Sequence, residues 1–236
     1  RGSVSGVRTS KEKKINCGFV GLTAGVHPNV AFLRNSKLEI DKGILVNEHL
    51  ETNVKDVYAI GDCAQLRNPE QGRRAIEAIW YTGRMMGELV AHNIMRNESK
   101  LTYKPGIWFN SAKFFNIEYQ VYGDIPSIRP EGQESLLWIS DSRKKSIRIN
   151  YSKKTGEVLG FNLLGIRFRH QVCEKWIYEK TNIESVLQNL ELAAFDPEFY
   201  PTYEHALRQQ FKNITGKRIS APTHRKLNQV LKFLYS

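Results

Sequence analysis

The run Val57-Tyr58-Ala59-Ile60-Gly61-Asp62-Cys63-Ala64 sets an acid directly behind an apolar stretch and a glycine. A carboxylate at the end of a strand has two uses. It can accept hydrogen bonds from the backbone of its own loop, a common role for Asp. It can also reach a ligand, because ligands of open α/β sheets gather beyond the carboxyl ends of the strands. A second feature lies downstream, where apolar residues recur at helical spacing from near Arg74 to Ile94. The first N–H groups of a helix are unpaired and partly positive, which suits an electron-rich carbonyl oxygen. A strand-end acid and a helix N-terminus together could clamp a polyol joined to an anionic ring. Spacing alone favours the simpler loop-cap role for Asp62.

The elements that would position these groups can be read from periodicity. Residues 15–22, INCGFVGL, read as a short buried strand. Leu38 to Asn47 reads as a hairpin turning at Asp41-Lys42-Gly43, and Asp56 to Ile60 as a further strand. The helix from near Arg74 carries Ile76, Ile79, Trp80, Gly83, Met86 or Gly87, Val90 and Ile94 on one stripe. Its glycines imply a close neighbour, either a sheet or a flat cofactor, because each costs about 1 kcal/mol relative to alanine.

Beyond Tyr103-Lys104-Pro105-Gly106 the pattern changes. Ile117, Tyr119 and Val121 alternate with polar residues, and strands follow over 135–140, 145–151 and 157–164. They read as an antiparallel meander, with Ile147 and Ile149 on the dry face and Arg148 and Asn150 on the wet one. Helices are expected over 169–180, with Val172, Cys173, Trp176 and Ile177 inward, and after an Asn182 cap. Residues 220–236 read as a basic amphipathic helix, which could pack on its own protein, lie on an anionic membrane or dock on an acidic partner.

Composition is that of an ordinary globular protein of 236 residues. No apolar run could cross a bilayer as a helix, and residues 1–14 lack the apolar core of a signal peptide. The three cysteines, Cys17, Cys63 and Cys173, are far apart. That argues against a disulfide framework or a zinc site and fits a cytoplasmic location; no metal site is expected. Cys17 and Cys63 are expected to be buried thiols. Most of the net charge of +11 gathers in the last 32 residues, which hold no Asp or Glu, and the body is only mildly positive. No nucleic-acid motif accompanies it, so no specific nucleic-acid partner is expected.

Three pieces in order, GLTAGVHPN, KGILVNEHLETNVKDVYAIGDCA and AIWYTGRMMGELVAHNI, resemble the FAD-dependent pyridine nucleotide-disulfide oxidoreductase superfamily. TGEVLGFNLLG and the following helix are similar to that superfamily's C-terminal domain. The resemblance implies a fold that is α/β followed by α+β. A partial FAD/NAD(P)-binding Rossmann-like domain precedes a C-terminal domain of antiparallel sheet and helices. It divides the chain into the end of a nicotinamide-binding domain (1–15), the second half of an FAD-binding domain (16–102), a dimerisation-like domain (103–211) and a basic tail (212–236).

By the same resemblance, Asp62 would bind the ribityl chain of FAD and Gly61 would allow close approach. Ala75 and Ile76 would face the flavin pyrimidine through their backbone. NAD(P)H would be the hydride donor, and a homodimer would form through the C-terminal domain. Tyr200-Pro201-Thr202 stands where the disulfide reductases carry His-Pro-Thr, and tyrosine is a poor base near neutral pH. No catalytic residue is therefore assigned, and quinones, oxygen, rubredoxin or ferredoxin are the expected acceptors. No GxGxxG is present, although the family binds both pyrophosphates with such loops. The chain is thus expected to be the C-terminal part of a longer enzyme, binding FAD weakly or not at all alone. A non-catalytic dimerisation module and a basic surface binder are the rival readings.

Overall fold

In the computed structural model, which describes residues 2–70, 72–96, 99–195 and 201–220, the chain divides into two units, Arg1–Tyr103 and Lys104–Ser236. The first unit opens with a hairpin of β1 (Gly6–Arg8) and β2 (Lys14–Asn16). Its centre is a parallel pair, β3 (Ile44–Val46) and β4 (Ala64–Leu66), with Ile44 opposite Ala64. Gly43 makes the pairing possible, since a Cβ there would lie 2.7 Å from the Cys63 carbonyl oxygen. The Gln65 side chain ties the preceding turn to β4. Its Oε1 accepts from the N–H groups of Lys42 (3.0 Å) and Gly43 (2.9 Å), and its Nε2 donates to Asp41 (2.9 Å). That last bond holds the Asp41 carboxyl below its usual range.

Helix α1 (Trp80–Met95) buries Met86 and Val90 against Val46, Leu50, Ala59 and Ala64. Its far end is fixed by Asn93, which is fully buried. That amide donates to the Leu101 carbonyl (3.0 Å) and accepts from the Leu101 N–H (2.7 Å).

Several local expectations fail in this unit. Residues 17–22 form no strand, and Phe19 and Leu22 are 84% and 93% exposed. The apolar run finds no partner strand among the described residues, and β2 ends at Asn16. The 38–47 hairpin reduces to a single bridge between Ile40 and Ile44, because the second arm pairs with β4 instead. Residues 56–60 make one antiparallel bridge, Tyr58 to Glu51, and no strand. Cys17 and Cys63 are only half-buried; Cys173 is the fully buried thiol, and burial pushes its pKa well up.

The second unit follows its sequence pattern more closely. Strands β5 (Phe109–Phe114), β6 (Ile117–Gly123), β7 (Gln133–Ile139), β8 (Ser146–Ser152) and β9 (Val158–Leu164) form one antiparallel sheet. Helices α2 (His170–Tyr178), α3 (Ile183–Gln188) and α4 (Glu204–Thr215) accompany it. Ile147, Ile149, Phe161, Leu163 and Trp176 are essentially fully buried in its core. Asn182 caps α3, accepting from the Glu184 N–H at 2.9 Å. Helix α4 was not anticipated; Leu207 and Phe211, one turn apart, are its buried residues, and Gly216 closes it in the left-handed region (φ 75°).

Two expectations are corrected here. The strand order is β5-β6-β9-β8-β7, so β9 lies between β6 and β8 and only β7-β8-β9 is a meander. Asn150 is not on a wet face but fully buried, accepting from Ser135 Oγ (2.7 Å) and Arg148 Nε (3.1 Å). No helix among the described residues is long and apolar enough to cross a membrane. The expected basic helix falls almost wholly outside the described residues.

Candidate functional site

Asp62 does not end a strand. It sits in a single 3-10 turn, Gly61–Cys63, that leads into β4. The turn closes through backbone, with the Ala64 N–H donating to the Gly61 carbonyl. The Asp62 carboxylate is exposed and accepts no hydrogen bond and makes no ion pair among the described residues. The loop-cap role is therefore not realised, and the acid is left for solvent or a ligand.

What fixes this acid is the packing of its turn on α1. Gly61 has φ +70°, a conformation that side chains disfavour. A Cβ on Gly83 would meet the Gly61 Cα at 3.5 Å, and one on Gly87 would meet Ile60 at 3.7 Å. The Gly61 N–H also points at Met86 Sδ, 3.4 Å away. The helix glycines thus answer to the turn carrying the acid. The far side of Gly61 is open: a methyl group placed there would find nothing within 4 Å. Backbone there is free to approach a ligand closely.

The helix start differs from the sequence expectation. It begins at Trp80, so Ala75 and Ile76 precede it and lie in an irregular segment. The Leu66 N–H donates to the Ala75 carbonyl (2.9 Å), which draws that segment along β4. Ile79 remains extended (φ −134°, ψ 135°), and no helix can begin before it. Ile79 gives no side-chain cap. Thr82 Oγ1 instead donates back to the carbonyls of Glu77 (2.9 Å) and Ile79 (2.8 Å). The positive end of the helix dipole is therefore not neutralised by a capping side chain. Trp80, expected on the buried stripe, is 68% exposed there, with the Arg84 guanidinium 5.8 Å from its ring centroid.

The same unit holds a buried charged cluster that its sequence did not announce. Arg73 and Glu77 form an ion pair whose side chains are 7% and 6% exposed. The spacing of four resembles a helical pair, yet these residues are not helical. Tyr103 joins them; burial, and next the Glu77 charge, push its hydroxyl pKa up to about 12. Glu77 Oε1 and the Tyr103 hydroxyl are buried without a hydrogen-bond partner among the described residues. The cluster anchors the segment between β4 and α1 to the core of the unit. The only sequence signal was a pair of charges inside an otherwise apolar periodicity.

The pyridine nucleotide-disulphide oxidoreductase family model matches residues 1–82, a span that contains Gly61, Asp62, Ala75 and Ile76. A coenzyme A disulfide reductase of Staphylococcus aureus (strain Newman) is 31% identical over 195 residues, covering 77% of this chain and 43% of that protein. An NADH-rubredoxin oxidoreductase of Clostridium acetobutylicum is 47% identical over 57 residues, 23% of this chain and 15% of that one. The solved NAD-dependent persulfide reductase from A. fulgidus shares the fold, with a TM-score of 0.69 at 19% identity, over 89% of this chain and 42% of that one.

The chain belongs to the pyridine nucleotide-disulphide oxidoreductase superfamily.

It spans less than half the length of each of these relatives. The superfamily fold accounts for the division seen here, an α/β unit and a five-stranded antiparallel sheet with helices. Tyr200, expected near the His-Pro-Thr position of the disulfide reductases, lies outside the described residues.

Proposed function

We propose that this chain acts within a FAD-dependent NAD(P)H oxidoreductase, where Gly61 and Asp62 face the ribityl chain of FAD. One observation carries the reading. Asp62 is an exposed carboxylate without a protein partner among the described residues, held on a turn that two glycines press against α1. An acceptor so placed fits sugar hydroxyls, and the open side of Gly61 fits close approach. The N-terminal turn of α1, beginning at Trp80, takes the place assigned to Ala75 and Ile76 as the positive end near an electron-rich ring carbonyl. The flavin itself would supply the hydride and electron chemistry when bound. The residues of this chain bind and orient it. A homodimer through the second unit belongs to the same proposal, and light scattering tests it: a strict monomer removes it.

The chain alone should bind FAD weakly or not at all, because no glycine-rich pyrophosphate loop is present in it. The full-length protein should purify yellow with stoichiometric flavin, and NAD(P)H should bleach it without oxygen. Isolated chain that comes out yellow with stoichiometric flavin would overturn the first expectation. Full-length protein that cannot be loaded with FAD would overturn the reading itself.

A further inference from the structure

The second unit holds a cleft of about 70 Å³ far in sequence from the Gly61–Asp62 turn. Its floor is apolar: Ile166 and Phe168 line it and are 8% and 6% exposed. Phe195 forms an outer wall and is 46% exposed. Two cations face the cleft, and they differ in how they are answered. Arg167 pairs with Glu118 at 3.3 Å and stacks its guanidinium on Phe195 at 4.2 Å. The Lys145 ammonium has no carboxylate within 4 Å among the described residues. It donates instead to the Tyr203 hydroxyl, 2.6 Å away.

That bond makes the hydroxyl an acceptor toward the lysine and leaves its own proton to donate elsewhere. A donor polarised by a neighbouring cation is a stronger donor. One end of the cleft thus presents an ammonium with no carboxylate partner among the described residues, side by side with a phenolic O–H. Both are donors, and Ile166, Phe168 and Phe195 supply the apolar part of the lining, beside Glu118, Arg167 and Glu204. The remaining charge, Glu204, lies in the first turn of α4, where a helix N-terminus favours a carboxylate without a cation partner.

We propose that this cleft binds the carboxylate of a small apolar acid, with the acid group on Lys145 and Tyr203 and its aromatic or branched aliphatic body on Ile166, Phe168 and Phe195. The proposal does not depend on the flavin reading. Charge decides the class: an ammonium without a carboxylate partner among the described residues favours an anion, and the apolar side chains of Ile166, Phe168 and Phe195 disfavour a heavily hydrated one.

Ligand-observed NMR on the whole chain, with three ring probes that differ in one group, tests it. Benzoate should bind more tightly than benzyl alcohol and benzylamine. Lys145→Met, which keeps the apolar stem, should weaken benzoate by about tenfold or more and leave benzyl alcohol unchanged. Tyr203→Phe, which keeps the ring against Trp138 at 4.9 Å, should weaken benzoate by about threefold or more, the loss of one neutral donor. It carries the test if the methionine variant fails to fold. Glu204→Gln should not weaken benzoate. Equal binding of benzoate and benzyl alcohol, preference for benzylamine, or no binding of benzoate at millimolar concentration would each overturn the assignment.

Discussion

Replacing Glu77 with alanine should destabilise the first unit by about 3–5 kcal/mol, the usual cost of breaking a buried ion pair by removing one member. The Arg73 side chain, 7% exposed, would lose the Glu77 carboxylate. The Arg73 guanidinium acts electrostatically on Tyr103, which belongs to the apolar core with Val46 and Leu50. The effect should fall first on α1, because Glu77 stands three residues before the helix and its backbone carbonyl, kept in the variant, receives Ile79 N–H and Thr82 Oγ1 there. Hydrogen exchange of the α1 amides is the appropriate measurement, since it reports this unit apart from the second. Their protection should fall by orders of magnitude in Glu77→Ala. Joint replacement by Arg73→Met and Glu77→Leu should recover most of the loss, as apolar substitutes for buried pairs do. Unchanged protection in the single variant would mean the pair is not buried as described.

The second large effect concerns binding rather than stability. In the full-length protein, Asp62→Ala should weaken FAD retention by about 10- to 100-fold, the worth of a hydrogen bond to a charged acceptor. Stability should move by less than about 0.5 kcal/mol, because the carboxylate touches no protein group among the described residues. Asp62→Asn keeps one acceptor oxygen and should recover part of the retention. Flavin content after dialysis against high salt, beside a urea titration, separates the two quantities. Equal flavin content in wild type and Asp62→Ala would remove the ribityl role. Equal losses of flavin and stability would make Asp62 a folding residue.

The second unit was largely legible in its sequence. Strands β6 and β8 alternate apolar and polar residues, α2 and α3 follow helical spacing, and Asn182 caps as an asparagine in that position should. These signals are local. The insertion of β9 between β6 and β8 is not local, and no residue within either strand announces it. The first unit is less legible for a similar reason. Val57 to Ile60 is apolar because Ala59 packs into the core, with Tyr58 against it, not because it lies in a sheet. Apolar residues of a buried bridge and of a strand look alike over four positions. Arg73 and Glu77 show the opposite confusion, where helical spacing occurs in a segment that hydrogen bonds along β4. The pairing of Gly61 with Gly83 could be suspected only as a close neighbour of unknown identity.

The crossing of Gly61 and Gly83 sets different rules of replacement for the two residues. At 83 the constraint is volume: a methyl would sit at ordinary contact distance from Gly61, so alanine or serine is admissible and branched side chains are not. At 61 the constraint is handedness: space is open, but φ +70° disfavours L-residues and favours glycine, with asparagine next. A library randomised at both codons would therefore return small residues at one and a single dominant residue at the other. The two glycines look equivalent in the sequence, yet one is an unfilled space and the other a fixed turn of the chain.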